Sequence, residues 1–228
     1  MLGSLGVVAV NTGRFIGSDD RVTVPLPLMY FNYNDRLYWS VTSVGTWLWC
    51  RDDRAFKLGL LAKARGGIDG ERTPYSGIFD RDPSVDAGFN LAWRIKPIVV
   101  GASWFGDAFG RSHGQSANLR LSLPIHFNER STTTPSVAVE WQDDKLVDYY
   151  YSLTAAETGG GAPLYTGRAT VHLRAGRALN YKIARHWTVL GGASYTRLGD
   201  GVADSPLVSQ SDNLLVYAGF SWNFFRVN

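Results

Sequence analysis

Cysteine is almost absent from this 228-residue chain: Cys50 is the only one, and only two methionines accompany it. A single thiol excludes a disulfide framework and any cysteine-rich zinc site. Long apolar runs are missing too. No stretch reaches the roughly 18 residues a membrane-spanning helix needs, and the 14-residue charge-free segment Leu37 to Cys50 carries several Ser and Thr. Mean hydropathy of −0.12 agrees. Charge of one sign is scarce as well: 23 Lys and Arg stand against 20 Asp and Glu, with no block of five like charges. Such a balance points to a mixed solvated surface and away from a nucleic-acid-binding tail. The first residues, MLGSLGVVAVNTGRF, lack a basic start and a small-x-small cleavage site, so they are not read as a signal peptide.

What the chain has in excess is rings: 8 Trp, 11 Tyr and 11 Phe. Hydrophobic residues make up 45% of it, too many for a disordered chain. Helical periodicity is hard to find, whereas period two is widespread. In Asn118 to His126 the odd positions are Leu119, Leu121, Leu123 and Ile125, and the even ones are polar or Pro. The same alternation sets Val85, Ala87, Phe89, Leu91 and Trp93 against Asp86, Gly88, Asn90 and Arg94, and Leu214 through Phe224 against Tyr217, Gly219, Ser221 and Asn223. Period two marks strands with one apolar and one polar face.

The expected strands cover 4–11, 22–33, 37–49, 55–65, 84–94, 97–105, 116–126, 134–141, 148–154, 166–180, 187–198 and 214–225, in a single domain over 1–228. Many are about nine residues or longer, the length that crosses a bilayer at a tilt. Loops rich in Gly and Asp fall at 66–83, 106–115, 155–165 and 199–212. A soluble sandwich would hide the apolar faces, and a membrane barrel would turn them to lipid. Three features favour the barrel: charges of both signs on the polar face, rings near strand ends such as Trp39, Trp93, Trp104, Trp141 and Trp187, and a closing Trp222-Asn223-Phe224-Phe225. The expectation is an all-β, closed, antiparallel transmembrane barrel of about twelve strands, with ten as the alternative.

Several segments resemble the MipA/OmpV family of Gram-negative outer-membrane proteins. They are Phe15-Ile16-Gly17-Ser18-Asp19-Asp20 with Val24-Pro25-Leu26-Pro27, then Asp148-Tyr149-Tyr150-Tyr151-Ser152 running on to Pro163-Leu164-Tyr165, then Tyr195-Thr196-Arg197-Leu198 before Val202-Ala203-Asp204-Ser205-Pro206-Leu207-Val208. Ser152 stands where the family usually has Gly, and Arg226-Val227-Asn228 follow the terminal aromatic. The resemblance implies an outer-membrane location and a non-enzymatic scaffold or adaptor for peptidoglycan enzymes, a lytic transglycosylase and a penicillin-binding synthase. Other members are linked to osmotic adaptation, so a narrow solute pore or envelope-stress porin is the second reading.

The residues themselves offer little catalysis. His113, His126, His172 and His186 show no metal-ligand spacing, and Asp19-Asp20, Asp52-Asp53 and Asp143-Asp144 fall in turns, where Asp bonds nearby backbone. No cofactor or metal and no nucleic acid are expected; the expected surroundings of a monomeric barrel are outer-membrane lipids and lipopolysaccharide. Lys57, Asp86, Arg94, Arg120, Glu140 and Arg174 form a candidate lumen network, which would more readily pair and fill the lumen than leave it open. Strand parity at twelve puts loop 66–83 on the side of the chain ends, and makes Asp69, Glu71, Arg72, Tyr75, Asp80 and Arg81 candidates for periplasmic docking. Tyr149 to Tyr151 read as strand rings at an interfacial rim.

Overall fold

The computed structural model describes residues 2–34 and 36–226. Thirteen strand segments form one antiparallel sheet: β1 (Leu2–Gly13), β2 (Arg21–Tyr33), β3 (Leu37–Ser40), β4 (Ser43–Cys50), β5 (Phe56–Arg65), β6 (Ser84–Ile95), β7 (Ile98–Asp107), β8 (Gln115–Ser122), β9 (Ile125–His126), β10 (Ser131–Gln142), β11 (Thr170–Lys182), β12 (Trp187–Arg197) and β13 (Asp212–Arg226). The two-residue β9 continues β8 past Leu123-Pro124 against the same neighbour, β10, so the wall has twelve staves. β1 pairs with β13 from Leu2 opposite Arg226 to Asn11 opposite Val216, and β10 pairs with β11, which closes the ring. Among the described residues each of the twelve staves is hydrogen-bonded to a neighbour on both sides over at least part of its length, and a closed ring is the form in which a sheet spans hydrocarbon.

Alternation assigns the faces. Paired residues share a face, and the rows through Leu5, Val7, Phe220, Trp222, Val189 and Trp187 are all exposed. That outer face carries Trp39, Trp49, Trp93, Trp104 and Trp141 as well, between 38% and 53% exposed, while Trp47 turns inward. Exposed rings gathered toward the strand ends form the aromatic girdles of a lipid-facing band. Arg177 is the exception on this surface: it lies in mid-strand among Ala175, Leu179 and Ala193, and its Nε donates to Thr133 Oγ1 at 2.7 Å.

Two sequence expectations change. The segment 37–49 is two staves, because the chain turns at Val41-Thr42 and β3 pairs back on β4. The segment 148–154 is no strand: a helix, α1 (Asp144–Tyr151), occupies it. Asp143 caps α1 by accepting from Leu146 N–H at 2.9 Å, and Leu146, Val147, Tyr150 and Tyr151 then fall on one buried face. The two changes cancel in the strand total but shift the parity between them. Loop 66–83 therefore lies at the end away from Leu2 and Arg226, with loops 14–20, 108–114, 143–169 and 198–211. The opposite end carries the short connection from β2 to β3 and turns at 51–55, 96–97, 127–130 and 183–186.

The wall is uneven. β3 has four residues and pairs with β2 only over Phe31–Tyr33, so β2 from Arg21 to Tyr30 is bonded on its β1 side alone among the described residues. Pro25 and Pro27 fall on that bare stretch; having no N–H, they suit a strand edge.

Candidate functional site

The long loops build a cap over one mouth of the barrel. Its core joins Leu146, Val147, Tyr150 and Tyr151 of α1 with Ile68, Leu198 and Val202 from two other loops. A second cluster holds Ile78, Leu153, Ala162 and Leu207. Polar bonds tie α1 to loops around the ring. Tyr151 Oη donates to Ile16 O at 3.4 Å, Tyr150 Oη to Asp82 O at 3.3 Å, and Ser205 Oγ to Tyr151 O at 2.7 Å. Gly114 meets the helix so closely that a Cβ there would stand 2.5 Å from Leu146 N. A helix held by the β1–β2, β5–β6, β7–β8 and β12–β13 loops at once lies across the opening. Burial pushes the Tyr150 hydroxyl pKa up to about 12, with Arg65 pulling the other way, and pushes Tyr151 up as well.

A buried ion pair locks the cap. Glu157, 1% exposed, accepts from Arg81 Nη2 at 2.8 Å, from Phe79 N–H at 3.1 Å and from Thr154 N–H and Oγ1 at 3.0 and 2.8 Å. Arg81 also donates to Ser152 O at 2.8 Å. Burial pushes the Glu157 carboxyl pKa up, but the Thr154, Arg81 and Phe79 bonds outweigh it and hold the group below the usual carboxylate range.

Here the docking candidates find other work. Arg81 is the cap's lock. Asp80 accepts from Gly70 N–H at 2.8 Å, Asp69 caps a single 3-10 turn by accepting from Glu71 N–H and pairs with Arg72 at 2.9 Å, and Tyr75 packs against the second cluster. Asp69, Glu71, Arg72 and Asp80 stay exposed to solvent, whereas Tyr75 and Arg81 are half-buried. Their expected place beside the chain ends is overturned: parity sends the loop to the other mouth. The three tyrosines are corrected too. On a helix Tyr150 and Tyr151 share the buried face, whereas an interfacial strand would have split them.

Below the cap, the six lumen candidates all lie on the inward face, at different heights. Asp86 is buried, bonded to Arg65 Nη2 at 2.6 Å and within 3.7 Å of Lys63 Nζ. Glu140 accepts from Arg174 Nη2 at 3.4 Å and from Gln142 Nε2 at 3.2 Å, and Arg174 Nε donates to Thr196 Oγ1 at 3.0 Å. Arg120 sits one row-neighbour from Ala138, which Arg174 flanks on the other side. Lys57 and Arg94 stand apart, toward the short-turn end, where Lys57 Nζ lies 5.7 Å from the Trp47 ring centre. Lys63 and Arg65 join this network from β5, where they share the parity of Lys57, the signal by which alternation places them inward. Lys63 also lies 4.1 Å over the ring of Phe105. A cavity of about 380 Å³ sits between the cap and this network, lined by Arg65, Gln142, Tyr150, Tyr151, Arg174 and Thr196 among others. Among the described residues no group of His, Cys, Asp and Glu is placed to hold a metal ion.

The closed ring of twelve staves, girdled outside and charged inside, defines an outer-membrane β-barrel. Residues 5–224 match the model of the family described as MltA-interacting protein MipA, and the chain belongs to that family. It is 26% identical to the MltA-interacting protein of Escherichia coli K12 over 90% of this chain and 83% of that one. It is 23% identical to the outer membrane protein OmpV of Vibrio cholerae over 65% and 57%. Among solved structures, the NanC porin matches with a TM-score of 0.54 and 13% identity, covering 96% of this chain and 98% of that one, a likeness of fold alone.

Proposed function

We propose that this outer-membrane barrel is a non-enzymatic docking partner for a periplasmic peptidoglycan-remodelling enzyme of the MltA type. The observation that carries the reading is α1: bonded across the mouth, it leaves the barrel one occluded end and one open to contact. A relative bears the name MltA-interacting protein. Short turns face the periplasm in outer-membrane barrels, so the docking surface is the turn end. That end presents exposed charges of both signs at Arg51, Asp52, Asp53, Glu129, Arg130 and Arg185. The barrel stands as a monomer among outer-membrane lipids and lipopolysaccharide. Capture from solubilised envelopes tests the reading. Tagged wild-type barrel recovers a lytic transglycosylase, and a variant reversing Arg51, Arg130 and Arg185 to Glu does not; recovery by neither refutes it.

A narrow pore is the second reading, favoured by the charged lumen with its cavity beneath the cap. Steady conductance steps from the purified barrel in a planar bilayer would support it. Silence, with capture, supports docking alone.

A further inference from the structure

We propose that the mid-lumen holds a binding site for a small oxyanion, a carboxylate or phosphate, between Arg120 and Arg174. The register sets the two arginines in one inward row, on β8 and β11, with Ala138 of β10 between them. Strands lie about 4.8 Å apart, so the two Cα atoms are roughly 10 Å apart, and the alanine methyl leaves the space between the side chains open. A cavity of about 200 Å³ occurs there. Its next rows are Ser122, Ser136, Gly176 and Ser194, then Thr134 and Tyr217, so hydroxyls and small residues line it.

The two guanidinium groups differ in what they already hold. Arg174 is engaged by Glu140 and Thr196. Arg120 has no hydrogen bond or ion pair among the described residues; it faces the like charge of Arg174 first and, less strongly, the carboxylate of Glu140. An arginine planted in a narrow lumen near a second one, with the neighbouring carboxylate of Glu140 bonded to Arg174 instead, has room for a counter-ion of its own. The fork geometry of guanidinium matches the paired oxygens of carboxylate and phosphate. Tyr217 and the serines add donors for further oxygens. This site is independent of docking at the turn end, because it lies within the lumen.

The test uses the whole barrel folded in detergent at low ionic strength, titrated calorimetrically with inorganic phosphate and, separately, with gluconate. Saturable binding of either supports the site, and the preferred anion identifies the source of the oxyanion. Arg120→Gln weakens that binding at least tenfold, and Lys96→Gln, at an exposed turn, leaves it unchanged. Because Arg120 has no partner to lose, the variant should keep the folded, faster-migrating band on unheated gels. Ala138→Leu, which fills the gap without touching a charge, gives a comparable loss and serves if Arg120→Gln fails to fold. Absence of saturation with both anions, or wild-type affinity in both variants, overturns the proposal.

Discussion

The two ends of the barrel are built on opposite plans. At the loop end the excursions fold on one another, with a capped helix, two small apolar clusters and a buried ion pair. At the turn end the connections run from two to five residues, and their charges face water; the Arg51–Asp53 pair there is about half exposed on both sides. Buried side-chain packing gathers at the first end, and an accessible charged surface at the second. The difference teaches that loop length alone does not mark a docking surface. The longest loops here have found partners within their own chain.

Breaking the lock should cost the loop end most. Arg81→Ala leaves Glu157 buried without its cation, a loss of about 3–5 kcal/mol. The expected readout is rapid protease cleavage within 143–169 while the barrel core stays folded; unchanged resistance would place the cap's stability elsewhere. Next comes Leu146→Ala, which empties a site 2% exposed and should cost about 2–5 kcal/mol by the same assay. Asp143→Ala removes the helix cap and should cost about 1 kcal/mol, visible as faster amide exchange in α1.

Acidity sharpens the contrast further. Glu157 is held below its ordinary pKa, so its contribution is complete above the unfolded-chain value and is lost as pH falls through the depressed one. Tyr150 and Tyr151 are held above theirs, so their contribution is lost as pH rises past the ordinary tyrosine value near 10. Protease resistance of the cap should therefore be flat across neutral pH and fall at both extremes. The smallest effect belongs to the turn end: Arg130→Glu or Arg185→Glu should move stability by no more than about 0.5 kcal/mol. A large loss there, by thermal unfolding, would dissolve the distinction between the two ends.

Much of the barrel was legible because period two survives wherever one face meets lipid and the other does not. β8 and β6 show it plainly, and the inward placement of Asp86, Arg94 and Arg120 follows from it. β2 hides it: Val22, Val24, Leu26 and Leu28 face inward while Pro25, Pro27 and Met29 face outward, so both faces read as apolar. The tyrosine run failed for a related reason. Three successive rings fit a strand or a helix equally, and Asp143 with Asp144, the signal for a helix start, read first as a turn. The hairpin at Val41-Thr42 adds one stave and the helix at 144–151 removes one, so a total of twelve does not by itself fix the end at which loop 66–83 lies.

The seam between β1 and β13 has a consequence for how the molecule is made. The first stave cannot be paired on one side until the last has been synthesised, so closure joins segments separated by nearly the entire chain. Contacts of that separation come slowly, and until then β1 and β12 each present an open edge. An edge running the full length of a stave leaves a whole row of backbone groups unpaired in hydrocarbon, each at a large cost. Deleting 212–226 should thus yield a chain that neither inserts nor persists in the membrane, however intact its first eleven staves.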